Sequence, residues 1–231
     1  MIYYGKQSIN QDDINAVVDV LKSDFLTQGP KVIEFENDLA CYCGVKYAKA
    51  VSSATAALHL AYLAIGLGRN DIVWTVPNTF VATANAALYC GAEVDFIDID
   101  NRTYNLSINS LKKKLIQAKK DNKLPKLVVP VHFSGQSCEM KDIWNQSKEY
   151  GFKIIEDASH ALGGEYLEKK IGNCEYSDMA VFSFHPVKMI TTGEGGAIMT
   201  NNKTLDDKVA LLRSHGIVKN NFKNKDDGDW Y

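Results

Sequence analysis

From residue 48 onward, short β-rich runs alternate with helical stretches at a nearly constant spacing, and few folds accommodate that pattern. The runs are 48–52, 72–76, 94–99, 127–131, 153–156, 179–184 and 197–200; helical periodicity fills 54–66, 79–90, 107–121 and 139–150. Strand followed by helix, repeated, predicts an α/β fold: one large sheet of seven mostly parallel strands with helices on both faces. The last two runs have no helix between them, so the final strand is expected to run antiparallel. Ser107 has the chemistry of a helix start and Gly151 that of a helix stop.

Ahead of the sheet, Asn10 reads as a helix cap, and Ile14, Val17, Val18 and Leu21 follow the spacing of one buried helical face. The stretch 24–30 breaks this helix, and Pro30 suits the first turn of a second one ending at Gly44. The expected organisation is a helical segment over 1–45, a large ligand-binding domain over 46–215 and a polar tail over 216–231. That tail is rich in Asn, Asp and Lys and stops at Trp230-Tyr231 without a capping element. It leads to the expectation of a C-terminal domain that this sequence does not contain.

Composition narrows the function classes. A net charge of −2 over 231 residues offers no basic footprint for nucleic acid. No apolar run reaches the ~18 residues needed to span a bilayer, and Met-Ile-Tyr-Tyr-Gly-Lys at the start has no signal-peptide pattern. The five cysteines are odd in number and form no C-x-x-C pair. They read as reduced thiols, neither a disulfide framework nor a zinc site, and imply a cytoplasmic protein.

In an open α/β sheet, ligands bind beyond the carboxyl ends of the strands. After the first run, Ser52-Ser53-Ala54-Thr55 leads directly into a helix, which suits either a phosphate site or a plain Ser cap. After the second, Phe80 suits stacking on a planar ring or ordinary core packing. Asp157 follows the fifth run directly, a carboxylate costly to bury unless it meets a cation such as a pyridinium N–H; the plain alternative is a helix cap. His160 follows, a ligand-facing donor or a satisfied structural histidine.

The sixth run carries Ser183, then a turn at Pro186, Lys188, and a cluster of threonines and glycines ending at Gly196. With Val187, Met189 and Ile190 as apolar neighbours, the amine is expected against a desolvated wall, where burial frees it for Schiff-base chemistry. By itself the stretch fits a surface lysine equally well. The glycines are expected to let backbone pass close to a bound cofactor.

Four segments carry a family resemblance: Asn78-Thr-Phe-Val-Ala-Thr-Ala-Asn85, Glu156-Asp-Ala-Ser-His-Ala161, Phe182-Ser-Phe-His-Pro-Val-Lys188 and Thr191-Thr-Gly-Glu-Gly-Gly196. Together with Phe25-Leu-Thr-Gln-Gly-Pro30 and Arg213-Ser-His-Gly216, they resemble the DegT/DnrJ/EryC1/StrS family of sugar aminotransferases. The resemblance implies pyridoxal-phosphate-dependent transferase fold type I, without its small C-terminal domain in this chain. It assigns Lys188 the internal aldimine, Asp157 the pyridine nitrogen, Phe80 the ring face, and Ala54, Thr55 and Ser183 the phosphate. His160 comes to lie near the ring's phenolic oxygen. Tyr4 and Asp24, Phe25, Leu26 and Thr27, with Ala54 and Ser183, match substrate-contacting positions.

The wording at Tyr104-Asn-Leu-Ser107, 130–138 and 171–178 points, within the family, to members of the pseudaminic acid pathway. The implied reaction moves the amino group of L-glutamate to C4 of a UDP-linked 4-keto-6-deoxy-N-acetylhexosamine, in a homodimer with its active site at the subunit interface. Other keto sugar nucleotides, aminated at C3 or C4, are the alternative.

Rival readings meet specific residues. A pyridoxal-phosphate sugar 3-dehydratase carries His where this chain has Lys188. A nicotinamide-dependent dehydrogenase needs G-x-G-x-x-G after the first strand, and that turn reads Ser-Ser-Ala-Thr-Ala-Ala; Gly66-Leu-Gly68 follows a helix instead. An inactive or regulatory binding protein on the same fold is opposed by the intact Lys188, Asp157 and Ser183.

Overall fold

A computed structural model describes residues 5–217. Helix α1 (Gln11–Leu21) starts at a capping box: Asn10 accepts from the amides of Asp12 and Asp13, and Asp13 accepts from the Asn10 amide. Helix α2 (Pro30–Cys43) follows, with proline in its first turn. Then come β1 (Tyr47–Val51), α3 (Ala54–Ala64), β2 (Ile72–Thr75), α4 (Val81–Tyr89), β3 (Glu93–Phe96), α5 (Ile108–Lys120), β4 (Leu127–Val128), α6 (Met140–Tyr150) and β5 (Lys153–Asp157). A small hairpin, β6 (Glu165–Tyr166) and β7 (Lys169–Lys170), precedes β8 (Met179–Ser183), β9 (Gly196–Thr200) and α7 (Lys203–Arg213).

The main sheet has seven strands in the order β1-β9-β8-β5-β4-β2-β3. Strands β8, β5, β4, β2 and β3 are parallel, and β9 runs antiparallel to both β8 and β1. The antiparallel last strand is as expected from its helix-free connection.

Alternate residues of each central strand enter opposite cores. Val73, Ile155, Met179 and Val181 pack under α3, α4 and α7, while Trp74, Ile154, Ala180 and Phe182 face α2, α5 and α6. With both faces covered, β8 and β9 are buried along their whole length and show no polar alternation.

Three features depart from expectation. Helix α7 follows the last strand, where the sequence reading places no element. The β6–β7 hairpin turns at Leu167 and Glu168, both with positive φ (49° and 64°), in place of the usual Asn-Gly signal. And α1 forms, but its apolar stripe is not buried: Ile14, Val17 and Leu21 are exposed, and no residue of the helix counts as buried within the described residues. The polar tail lies almost wholly outside the described residues.

Candidate active site

Asp157 closes β5 and is 5% exposed. Its backbone is fixed from both sides: its N–H donates to the Pro130 carbonyl (2.9 Å), and its own carbonyl accepts from the His132 N–H (3.1 Å). His132 is itself locked. Its Nδ1 accepts from the Cys138 amide at 3.1 Å, which places the ring proton on Nε2, 2.8 Å from Glu156. The Asp157 carboxylate is held by neutral donors. Thr83 Oγ1 donates to Oδ2 at 2.6 Å, while Ser159 donates to Oδ1 from its hydroxyl (2.7 Å) and its amide (3.2 Å). No salt bridge among the described residues includes Asp157. A buried carboxylate without a salt-bridge partner can receive a cationic ligand edge.

Lys188 sits in the loop between β8 and β9. Thr191 Oγ1 and the Thr192 N–H both donate to the Phe184 carbonyl, and the Phe184 N–H donates to Gly195, which ties the loop's two arms together. Lys188 Nζ lies 2.5 Å from His160 Nε2, across the end of the sheet. Burial pushes the Lys188 pKa down from its ordinary value, and the nearby Asp157 charge opposes that shift. His160 is also lowered, first by burial and then by the Lys188 charge. The apolar wall expected from Val187, Met189 and Ile190 is not there, because all three are exposed. Desolvation of the amine comes from its seat at the end of the sheet beside His160.

The third corner follows from strand register. Gly196 pairs with Ser183 on one side and with Val51 on the other, so the end of β8 and the β1–α3 turn lie on either side of a single strand. In α3, Ser53 caps by accepting from the Ala56 amide. No acceptor within the described residues meets the Ala54 and Thr55 N–H groups, the open donors of a helix start. Gly196 has to be glycine for a packing reason: a Cβ there would lie 2.5 Å from the Ser53 carbonyl carbon and 2.6 Å from the Ala54 nitrogen. This is a reason beside the expected approach to a cofactor, since the backbone here also passes close to the start of α3.

Phe80 takes the N-cap position of α4, where an oxygen-bearing side chain is favoured, yet it caps nothing and is 75% exposed. That excludes the core reading and leaves an open aromatic face on the loop after β2. Asp24, Phe25, Leu26 and Thr27 are exposed in the turn between α1 and α2. They make no hydrogen bond to Lys188, Asp157 or His160. The start of α2 does share a cleft of about 230 Å³ with Thr192, Glu194 and Gly195 of the lysine loop. Tyr4 lies outside the described residues. Sequence reasoning missed Thr83, Thr79 and Ser159, which bond to Asp157 directly or through one another.

The structure therefore gathers Lys188, His160 and Asp157 in one group, sets Ala54, Thr55 and Ser183 along a neighbouring edge, and leaves Phe80 open. Such a set complements a planar, phosphorylated ring that carries a protonated nitrogen and a carbonyl able to condense with an amine.

The pattern of the family described as "DegT/DnrJ/EryC1/StrS aminotransferase family" matches residues 7–228. The chain is 50% identical over 226 residues to the UDP-4-amino-4,6-dideoxy-N-acetyl-beta-L-altrosamine transaminase of Campylobacter jejuni subsp. jejuni, covering 98% of this chain and 58% of that protein. It is 39% identical over 222 residues to the Helicobacter pylori protein of the same name, covering 95% of this chain and 56% of that one. Among solved structures, Helicobacter pylori PseC, an aminotransferase involved in the biosynthesis of pseudoaminic acid, superposes with a TM-score of 0.88 at 38% identity, over 96% of this chain and 58% of that one. A putative sugar aminotransferase, Spr1654 from Streptococcus pneumoniae, in its PLP-form, gives 0.82 at 27% identity, over 93% and 58%. The chain thus spans somewhat over half the length of the relatives it matches. With the lysine, the carboxylate and the helix start arranged as described, the chain belongs to the DegT/DnrJ/EryC1/StrS aminotransferase family.

Proposed function

We propose that this chain carries the cofactor-binding part of a pyridoxal-phosphate-dependent sugar-nucleotide aminotransferase. The carrying observation is the partly desolvated Lys188 amine, 2.5 Å from His160 and near the buried carboxylate of Asp157, which makes no salt bridge among the described residues. Asp157 would receive the ring nitrogen, Phe80 the ring face, and the amides of Ala54 and Thr55 with the Ser183 hydroxyl the phosphate. When bound, the cofactor supplies an electron sink that stabilises negative charge developing on the carbon next to the amine.

The chain's own groups do the rest. Lys188 Nζ, whose pKa burial lowers from its ordinary value, takes the Cα proton of the amino donor and returns a proton to the carbon that is aminated. His160 holds that amine in place: one of the two nitrogens facing each other must be unprotonated, and burial makes that arrangement favourable. The relatives' names support a UDP-linked 4-keto-6-deoxy-N-acetylhexosamine as acceptor, aminated at C4 in pseudaminic acid biosynthesis. The same reading takes L-glutamate as donor, the segment 24–27 as a substrate contact, a homodimer as the working form, and a cytoplasmic location, consistent with free cysteines throughout the described residues.

The test is a visible absorption spectrum of the purified protein with added pyridoxal phosphate, repeated after L-glutamate. A band that shifts on adding glutamate supports the reading, and Lys188→Ala removes that band. The absence of any coloured complex overturns the reading. A panel of 4-keto sugar nucleotides then identifies the acceptor.

A further inference from the structure

The group that orients Asp157 is itself part of a longer network. Thr83 is fully buried on the first turn of α4, three residues after Phe80. Its hydroxyl donates to Asp157 Oδ2 at 2.6 Å, because an ionised carboxylate can only accept. That uses the one proton of the hydroxyl. The Thr79 hydroxyl, 2.7 Å away, must therefore donate to Thr83. The direction of the relay is fixed: Thr79 to Thr83 to Asp157.

Thr83 is also held through its backbone. Its carbonyl accepts from the hydroxyl of Tyr62, buried on α3, at 3.0 Å, and its amide donates to the Phe80 carbonyl at 3.1 Å. One residue thus bonds to the helix that starts with Ala54 and Thr55, to the residue offering the open aromatic face, and to the buried carboxylate. Each carries a separate contact of the proposed cofactor site.

We infer that Thr83 is a positioning residue, and that the Thr79–Thr83 relay holds the Asp157 carboxylate at a fixed rotation and fixed distance from Phe80 and the α3 start. The inference rests on the pyridoxal phosphate reading given above. Valine preserves the shape of threonine and removes its hydroxyl; serine keeps the hydroxyl and removes a methyl. The pair isolates the hydrogen bond.

The test titrates the purified full chain with pyridoxal phosphate, following both the visible band and the rise in thermal midpoint on binding. Thr83→Val is expected to weaken cofactor binding by about tenfold or more, the effect of losing a hydrogen bond to a charged group. Thr83→Ser stays within about threefold of the parent. The cofactor-induced rise in midpoint shrinks in Thr83→Val, whereas a purely structural role would lower both midpoints together and leave the difference unchanged. Should Thr83→Val fail to fold, Thr79→Val takes its place. It removes only the donor at the head of the relay, and about a threefold loss of affinity is expected. Parental affinity in whichever of these two variants is measured overturns the relay and leaves the lysine assignment standing. No coloured complex in the parent protein overturns both.

Discussion

Lys188 Nζ and His160 Nε2 face each other at 2.5 Å, a contact that two protonated groups cannot make. Both are shifted down by burial, and Asp157 is the group that pulls each of them back up. The sign follows directly. Removing the Asp157 charge removes the opposing influence, so Asp157→Asn should lower the Lys188 pKa further. Reductive methylation across a pH series, read by mass spectrometry at the Lys188 peptide, checks this. Lys188 in the parent protein should react as a free amine below the ordinary lysine range, and in Asp157→Asn at still lower pH. An upward shift in the variant would contradict the electrostatic picture, even though the same variant loses its partner for the ring nitrogen.

Phe80→Ala separates a ligand contact from a core residue. A side chain that is 75% exposed contributes little to folding, and truncation should change stability by no more than about 0.5 kcal/mol. If the ring stacks on the cofactor, the same change should weaken binding by about 1 kcal/mol, roughly fivefold. Denaturant titration and cofactor titration on one preparation give both numbers. Equal losses in the two would return Phe80 to a structural role.

Much of this was legible in the chain because strand ends announce themselves. Ser53, Asp157 and Ser183 each close or follow an apolar run, and the absence of a helix between 184 and 196 already implied an antiparallel last strand. What the sequence hid was of two kinds. Local turn chemistry misled at Leu167 and Glu168, which adopt the left-handed region usually left to Asn and Gly. Long-range partnership was invisible: Thr83 meets Asp157 across 74 positions. The apolar neighbours Val187, Met189 and Ile190, read in the sequence as a desolvated wall for the Lys188 amine, are exposed. Burial of the amine is a property of the carboxyl end of the sheet, which only the assembled strands define.

Gly196→Ala tests the corner where β9 meets the start of α3. The added methyl would fall within 2.7 Å of the Ser53 carbonyl carbon and oxygen and the Ala54 nitrogen, all backbone atoms that cannot rotate away. The overpacking should cost about 1–3 kcal/mol of stability. It should also shift the open amides of Ala54 and Thr55, so binding of pyridoxal phosphate should fall more than binding of the phosphate-free pyridoxal. A thermal melt and paired titrations with the two compounds measure these effects. A variant that melts like the parent and binds both compounds equally well would show that the β1–α3 turn has room this structure does not give it.

The sheet edge behind that corner depends on a charge network. Strand β1 is an edge strand, and its Ala50 backbone is completed by side chains in place of a further strand. The Ala50 amide donates to Glu36 Oε1 at 2.9 Å, and Arg213 Nη1 donates both to the Ala50 carbonyl at 3.0 Å and to Glu36. Lys49 pairs with Asp206 at 2.8 Å alongside. Helices α2 and α7 are thus stitched to the strand that leads into the phosphate turn. Glu36→Ala strips the acceptor from both the Ala50 amide and the Arg213 guanidinium in a largely buried setting, which should cost about 3 kcal/mol. Glu36→Gln keeps an acceptor for Ala50 and should lose less than half of that. Replacing the pair together, Glu36→Leu with Arg213→Met, should recover part of the Glu36→Ala loss, because no charge is then left unpartnered. Urea midpoints of the three variants rank these outcomes. A loss below about 0.5 kcal/mol in Glu36→Ala, the range of an ordinary surface change, would mean that the edge of β1 holds without its side-chain clasp.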